Sequence, residues 1–172
     1  MSKSLIIYYS RDGENYVNGS IKNLDKGNTE ICAEFIQKAV GGDLHKVEML
    51  NPYSTDYYEC TEEAKKEKEN NDRPKLKSYL KDISEYDTVF VLAPCWWDTY
   101  PMAIFTQLEM LDFTGKKVAT LITHEGSGLG SCEKDLHKLC KGASFGTGMA
   151  VHGADAAKSE IAVSNWAKEI TR

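Results

Sequence analysis

The sequence has no apolar run long enough to cross a membrane, since its first one spans only residues 4–9 before Arg11 and Asp12. A membrane-spanning helix needs about 20 apolar residues, and a secretory signal peptide needs a longer apolar region followed by small residues. The chain has five cysteines, and no two of them have C-x-x-C spacing. This disfavours both a disulfide framework and a zinc site. We therefore expect a cytoplasmic protein without a membrane partner.

The sequence also lacks a surplus of basic residues, because 26 acidic residues outnumber 21 lysines and arginines and give a formal net charge of -5. The phosphates of a nucleic acid would be repelled, so no nucleic-acid partner is expected. Neither the P-loop pattern nor G-x-G-x-x-G occurs, which disfavours a P-loop nucleotide or a Rossmann dinucleotide site. The four histidines show no metal-ligand spacing, so we expect no metal site.

What the sequence does contain is a globular composition, with 172 residues of which 41% are hydrophobic. That length fits one domain that can bury a core. No internal repeat and no linker rich in Gly, Ser or Pro interrupts it. We predict a single domain over residues 1–172.

Short apolar runs alternate with helical patterns along the chain. Three runs are apolar nearly throughout, which is typical of strands buried on both faces; they span residues 4–9, 88–93 and 117–123. A weaker run covers residues 145–152, and residues 43–50 have the mixed pattern of an edge strand. Together these patterns predict a five-stranded sheet.

Apolar residues at helical spacing lie between the predicted strands. Strand–helix alternation predicts parallel strands joined by right-handed crossovers, which is a doubly wound α/β sandwich with helices on both faces. The segment 57–73, rich in Glu, Lys and Asn, is interpreted as a solvated helix and loop. The apolar helix faces fall in residues 32–40, 76–83, 104–111, 132–140 and 163–170.

In such a sheet, ligands bind beyond the carboxyl ends of the strands. After the first strand, Ser10 and Thr29 offer hydroxyls, and Gly27 lets the backbone approach a ligand at the start of a helix. The free amides and dipole of the helix N-terminus suit a phosphate. The same residues also fit a simple helix cap by Asn28 or Thr29, and the sequence leaves both interpretations open.

Two more loops follow the third and fourth strands. The first contains Trp96 and Trp97, which can wall a flat ligand or pack into the core. The second, residues 123–131, has three glycines whose backbone groups can surround a heterocycle, although such loops are also flexible connectors. Because all three loops fall at one edge of the predicted sheet, their position favours ligand binding.

Taken together, the segments YYSR…GNT, APCWWDTYP, DFTGKKV and THEGSGLGS resemble the flavodoxin family over nearly the whole chain. The resemblance implies a flavodoxin-like five-stranded parallel sheet of order 2-1-3-4-5 and FMN bound without a covalent bond. It implies no catalytic acid or base, because the cofactor carries the redox chemistry. The implied cofactor-binding residues are Ser10, Arg11, Asn28 and Thr29 at the phosphate; Pro94, Cys95, Trp96, Trp97 and Asp98 along the flavin; and Thr123, Glu125, Gly126, Ser127, Gly128 and Gly130 at its pyrimidine side.

Two features depart from the family pattern. Many relatives have glycine where this chain has Asp98, and Asp accepts a positive φ less readily than Gly. The first loop also carries an insertion, residues 14–26, which we interpret either as a flap with Tyr16 over the site or as a surface excursion. Of the two tryptophans, Trp97 is expected nearer the flavin ring.

The resemblance implies an FMN-dependent electron carrier that serves a redox partner protein. The alternative is an NAD(P)H:quinone-type oxidoreductase that uses a small-molecule acceptor, and a third possibility is a binding module that has lost the flavin. A signalling receiver is excluded because the acidic residues that it needs after the first and third strands are missing. A low-molecular-weight phosphatase is excluded because no cysteine is followed six residues later by arginine. Cys95 is interpreted as a small neutral wall residue.

Overall fold

The computed structural model describes residues 3–172, which form a main sheet, a separate hairpin and five α-helices. In this part of the chain, no helix is both long and apolar enough to cross a bilayer. In chain order the strands are β1 Ser4–Tyr8, β2 Gly13–Val17, β3 Ser20–Leu24, β4 Asp43–Lys46, β5 Thr88–Pro94, β6 Lys117–His124, β7 Ser144–Phe145 and β8 Met149–His152. The helices are α1 Asn28–Val40, α2 Tyr57–Glu69, α3 Met102–Leu108, α4 Cys132–Leu139 and α5 Glu160–Ile170, with a 3₁₀ helix at Gly153–Lys158.

The main sheet is parallel and has the order β4-β1-β5-β6, with β7 and β8 sharing the fifth position beside β6. This confirms the predicted order 2-1-3-4-5. The fifth strand is divided in two at Gly146 and Gly148. A Cβ atom on Gly146 would lie 2.4 Å from Ile170 Cδ1, so the end of α5 packs directly on the backbone there.

Helices cover both faces of the sheet, as predicted. Successive side chains on a strand point to opposite faces: in β1, Leu5 and Ile7 enter one core and Ile6 and Tyr8 enter the other. Helices α3 and α4 bury their apolar faces in the first core, and α1 and α5 bury theirs in the second. All residues of β1 are buried, which explains why its sequence is apolar without alternation.

The helix predicted at residues 76–83 is wrong, because this segment is not helical. It forms an isolated antiparallel bridge with the segment that follows β4: the Leu50 amide donates to the Lys75 carbonyl at 2.8 Å, and the Lys77 amide donates to the Glu48 carbonyl at 2.9 Å. The Gln107 side chain then bonds both the amide and the carbonyl of Leu80, at 2.9 and 2.7 Å. These tertiary hydrogen bonds satisfy the backbone that a helix would have paired internally.

The insertion after β1 forms a two-stranded antiparallel hairpin, β2–β3, outside the main sheet. Its turn residues are Asn18 and Gly19, which have φ angles of 52° and 91°. A two-residue turn with both φ angles positive matches the twist of the flanking strands, and Asn-Gly is its preferred sequence. The hairpin therefore has a turn that fixes its register.

Candidate functional site

The loops after β1, β5 and β6 converge on one cleft at the carboxyl end of the sheet. One part of this cleft, here called the smaller cavity, has a volume of about 120 Å³. Residues from all three loops and from the hairpin line it: Ser10, Arg11, Asn15, Tyr16, Asn28, Thr29, Tyr57, Pro94, Cys95, Trp96, Thr123, His124, Glu125 and Gly153.

The N-terminus of α1 forms one end of the smaller cavity. The Glu30 amide donates to Ser10 Oγ at 3.1 Å and the Ile31 amide donates to the Gly27 carbonyl at 3.2 Å. Among the residues that the structure describes, the amides of Asn28 and Thr29 are left without a hydrogen-bond partner in the chain. Unpaired amides at the positive end of a helix dipole are suited to an anion.

Gly27 is required for this arrangement. A Cβ atom at this position would lie 2.1 Å from Ser10 Oγ and 2.6 Å from the Arg11 carbonyl oxygen. The absence of a side chain therefore lets the loop after β1 rest against the start of α1, and it brings Ser10 to the helix end.

Thr29 and Thr123 form the floor of the cleft. Both side chains are buried, and their hydroxyl oxygens lie 2.8 Å apart in a hydrogen bond. This bond joins α1 to the end of β6. The hydroxyl of Thr29 is thus hydrogen-bonded to Thr123. The backbone amide of Thr29 is the group that can donate to an anion.

Arg11 connects the hairpin to the segment that enters α2. Its Nε donates to the Glu14 carbonyl at 2.9 Å, and its Nη2 donates to the carbonyls of Ser54 and Thr55 at 3.2 and 3.1 Å. A further bond links the same two elements, because the Tyr57 amide of α2 donates to Glu14 Oε1 of the hairpin at 2.8 Å. These bonds hold the hairpin against the start of α2, and both elements line the two cavities of the cleft.

Glu125 fastens the hairpin to the loop after β6. Its Oε2 accepts from the Asn18 amide at 3.0 Å and lies 3.2 Å from His152 Nε2. The neighbouring His124 accepts from the Gly126 amide through Nδ1 at 2.9 Å. Burial lowers the pKa of His124 below its ordinary value of 6.5, and the nearby His152 lowers it further. His124 is therefore held as a neutral acceptor.

The other part of the cleft, here called the larger cavity, has a volume of about 390 Å³, and five of its eleven lining residues are aromatic. Tyr16 of the hairpin faces Tyr57 of α2 with ring centroids 6.2 Å apart. The indole of Trp97 donates to the Thr61 carbonyl at 2.9 Å. The complete lining is Arg11, Asn15, Tyr16, Tyr57, Tyr58, Cys60, Thr61, Ala64, Cys95, Trp96 and Trp97.

A tight turn places the two tryptophans. Trp97 and Asp98 have φ angles of 51° and 74°, and Trp96 and Thr99 exchange both backbone hydrogen bonds, at 2.8 and 3.2 Å. Asp98 thus adopts a left-handed conformation, which glycine would take without strain. Its carboxylate accepts from Ser131 Oγ at 2.7 Å, so it is directed toward α4.

Residues 22–170 match the family model described as Flavodoxin. The chain belongs to the flavodoxin family. A candidate flavoprotein from Bacteroides eggerthii is 28% identical, covering 100% of this chain and 99% of its own, with a TM-score of 0.77. A candidate flavoprotein from Bacteroides uniformis is 27% identical over 97% and 98% of the two chains, with a TM-score of 0.74.

A third similar structure is a Lactobacillus acidophilus flavoprotein in complex with FMN, which is 22% identical and has a TM-score of 0.66. The match covers 92% of this chain and 98% of that one, and at this identity it supports the flavodoxin fold alone. No curated protein matches the sequence.

The cleft of this flavodoxin-family chain brings together many of the residues singled out in the sequence. Nine of them line the smaller cavity: Ser10, Arg11, Asn28, Thr29, Pro94, Cys95, Trp96, Thr123 and Glu125. Trp97 lines the larger cavity only. Neither cavity is lined by Asp98, Gly126, Ser127, Gly128 or Gly130. Contact of all these residues with a cofactor stays a prediction.

Sequence reasoning missed the part of the site that comes from α2. Tyr57, Cys60, Thr61 and Ala64 face the larger cavity, and they are spaced i, i+3, i+4 and i+7. That spacing is the signature of one helix face, and it was hidden by the surrounding Glu and Lys residues. Asn15, His124 and Gly153 were also missed, although Asn15 lies in the insertion 14–26 and His124 in the segment THEGSGLGS.

Proposed function

We propose that this flavodoxin-family protein binds FMN without a covalent bond and serves in electron transfer. The main support for this proposal is that one cleft contains both the N-terminus of α1, which is suited to an anion, and a cavity with aromatic walls. The two cavities share six lining residues. The larger one is within the roughly 300–1,000 Å³ typical of ligand sites. The match of residues 22–170 to the flavodoxin family model supports the same assignment.

The residues of the cleft fit the two ends of FMN. The amides of Asn28 and Thr29, with Ser10 beside them, would hold the phosphate at the end of α1. The aromatic side chains of the larger cavity would enclose the isoalloxazine ring, since flat rings pack favourably on aromatic faces. FMN supplies the redox chemistry when bound, and the chain's role is to bind it, orient it and exclude water.

The charges of the cleft would also tune the cofactor. Glu125 is the one carboxylate in the lining of the smaller cavity, whereas Asp98 is directed to Ser131. A nearby carboxylate disfavours additional negative charge. We therefore expect Glu125 to lower the reduction potential of the bound cofactor.

The cysteines bear on where the protein works. All five are free thiols, which is the usual state in a reducing compartment. We propose that the protein acts in the cytoplasm, where it passes electrons to or from a redox partner protein.

The first test is to titrate the flavin-free protein with FMN and follow quenching of flavin fluorescence. Saturable quenching at one equivalent per chain is expected. Stepwise anaerobic reduction should then show a long-wavelength absorption band midway, which is the sign of one-electron steps. No quenching at any FMN concentration would refute the proposal.

A second assay distinguishes the carrier from the alternative, an NAD(P)H:quinone-type oxidoreductase. The FMN-loaded protein is mixed with NADPH and a quinone, and NADPH absorbance is followed. A carrier turns over only when a separate reductase is added. Turnover by the protein alone would replace the carrier with the enzyme.

A further inference from the structure

The loop after β6 is held by a hydrogen bond to a histidine ring. The Gly126 amide donates to His124 Nδ1 at 2.9 Å. Within residues 3–172, no other amide of residues 126–128 donates a hydrogen bond. A Cβ atom on Gly126 or Gly128 would meet no atom of the surrounding fold within 4 Å, so this stretch is not packed against a neighbour. The His124 ring is therefore its main restraint.

The sheet places this ring beside a second imidazole. Strands β6 and β8 are parallel with His124 and His152 in register, and the two ring centroids lie 5.7 Å apart. His152 Nε2 in turn lies 3.2 Å from Glu125 Oε2, which also accepts from the Asn18 amide at 3.0 Å. Glu125 is thus held by its own side chain, and the stretch after it is held by His124.

The hydrogen bond from Gly126 fixes the protonation state of the His124 ring. Nδ1 can accept from the amide only while it carries no proton, so the neutral ring has its proton on Nε2. Two titratable groups face the ring, His152 from β8 and Glu125 from the same loop. Burial lowers the pKa of His124 below 6.5, the charge of His152 lowers it further, and Glu125 acts in the opposite direction. At neutral pH the ring is therefore neutral, and the bond is made.

Protonation of the ring is incompatible with this bond. A proton that enters at Nδ1 from solvent takes the lone pair that accepts from the Gly126 amide, and the imidazolium then has two N–H donors and no acceptor. The Nδ1 proton and the amide proton would face each other. The backbone can respond, because Gly126 and Gly128 have φ angles of 135° and 62° and glycine moves between such conformations at little cost.

The loop in its bonded position stands apart from the cleft. His124 itself lines the smaller cavity, whereas Gly126, Ser127 and Gly128 line neither cavity. Segments with few packed contacts open locally for less free energy than the fold as a whole. Once the bond to His124 is lost, residues 126–128 can therefore move toward the cleft without disturbing the sheet.

We propose that His124 is a pH-sensitive latch for the loop after β6. With Nδ1 unprotonated, the ring holds the Gly126 amide and keeps residues 126–128 apart from both cavities. With Nδ1 protonated, the ring releases the amide, and the loop is free to direct its backbone groups at a ligand in the cleft. An anion in the smaller cavity favours the released state, because His124 lines that cavity and opposite charges attract.

The test is an NMR titration of the full chain, labelled with nitrogen-15 and freed of any bound flavin. The Gly126 amide and the His124 ring nitrogens are followed from about pH 8 to about pH 5. Both should titrate with one shared midpoint below 6.5, and the Gly126 amide proton should move upfield as it loses its acceptor. The amides of β1, which is buried throughout, report whether the chain stays folded.

Two substitutions at the same position separate the latch from a general effect of pH. His124→Asn provides a carbonyl oxygen near the place of Nδ1 that does not titrate, so the Gly126 signal should keep its bonded shift at every pH. His124→Ala removes the acceptor, so the signal should have the released shift at every pH. The matched control is His137→Gln, at an exposed position of α4 that lines neither cavity, and it should titrate as the native chain does.

The native chain decides the matter even where a variant at His124 fails to fold. A Gly126 signal that does not change with pH while the His124 ring titrates would overturn the proposal. So would a Gly126 signal that changes equally in the native chain and in His124→Asn.

An FMN arm, which alone rests on the proposed function, keeps the two ideas distinct. If FMN places its phosphate at the start of α1, saturating FMN should raise the midpoint of the Gly126 titration, whereas riboflavin, which lacks the phosphate, should not. A titrating Gly126 signal in a chain that shows no flavin quenching would support the latch and refute FMN binding. Flavin quenching with a Gly126 signal that ignores pH would do the opposite.

Discussion

The substitution Gly27→Ala tests whether the close approach at the start of α1 creates the phosphate site. The added Cβ atom would lie 2.6 Å from the Arg11 carbonyl oxygen and 2.9 Å from its carbonyl carbon. The nearby Ser10 hydroxyl can rotate away, but the Arg11 backbone cannot. Because non-bonded carbon contacts are favourable only near 3.5 Å, the loop after β1 must withdraw by roughly 1 Å.

The size of the expected effect follows from this displacement. Overpacking that shifts backbone costs about 1–3 kcal/mol, and each 1.4 kcal/mol is about a factor of ten in a dissociation constant. If the loss falls mainly on the phosphate end of the cleft, the Kd for FMN should rise by about tenfold or more. Fluorescence quenching measures the Kd, and thermal unfolding measures any loss of stability.

The matched control is Gly148→Ala. Its added Cβ atom would lie 2.9 Å from the carboxyl group of Glu133, which is the end of a flexible side chain and can move aside. FMN affinity should therefore stay within twofold of the native value. If Gly27→Ala leaves both the Kd and the melting temperature unchanged, the idea that this glycine shapes an anion site is wrong.

Three further predictions concern other parts of the cleft. Glu125→Ala should raise the FMN dissociation rate in stopped-flow about three- to tenfold, because it removes a hairpin tether of ~1 kcal/mol; an unchanged rate would show that the hairpin does not retain FMN. The folded-state pKa of His124 lies below 6.5, so the unfolded chain binds more protons and stability falls as pH drops below 6.5. His124→Gln should flatten that fall in urea unfolding, and an unaltered pH profile would contradict the assignment. Trp97 is 43% exposed, so Trp97→Ala should weaken FMN binding with little change in melting temperature, whereas Trp96→Ala should lower both; a large loss of stability in Trp97→Ala would refute this division.

The sheet could be predicted from the sequence because strands buried on both faces must be apolar throughout. β1, β5 and β6 are buried along nearly their whole length and are mostly apolar, while the order of the strands was predicted from the family resemblance. The segment after Pro74 shows the limit of periodicity. Leu76 and Ile83 are both buried, at 3% and 2% exposure, but an extended segment buries them as well as a helix would.

The site was only partly accessible to sequence reasoning. Loops after parallel strands meet at one edge, which is why Ser10, Trp96 and Thr123 could be placed together. The Asn18-Gly19 pair is a hairpin signal that the sequence analysis did not use, and no sequence signal gave the position of the hairpin at the cleft. That position depends on tertiary bonds to Glu125 and from Arg11, which leave no mark in local spacing.

The separation of the hairpin from the main sheet has a consequence for how fast a ligand can leave. Among the described residues, β2 and β3 pair only with each other, so the hairpin can lift without breaking a bond of the main sheet. Local openings of this kind need less free energy than global unfolding. The hydrogen bonds that hold the hairpin at Asn18 and Glu14 then set the residence time of a bound ligand. The amides at the start of α1 set the affinity for its phosphate. The release rate and the affinity can therefore change independently, through substitutions in different parts of the chain.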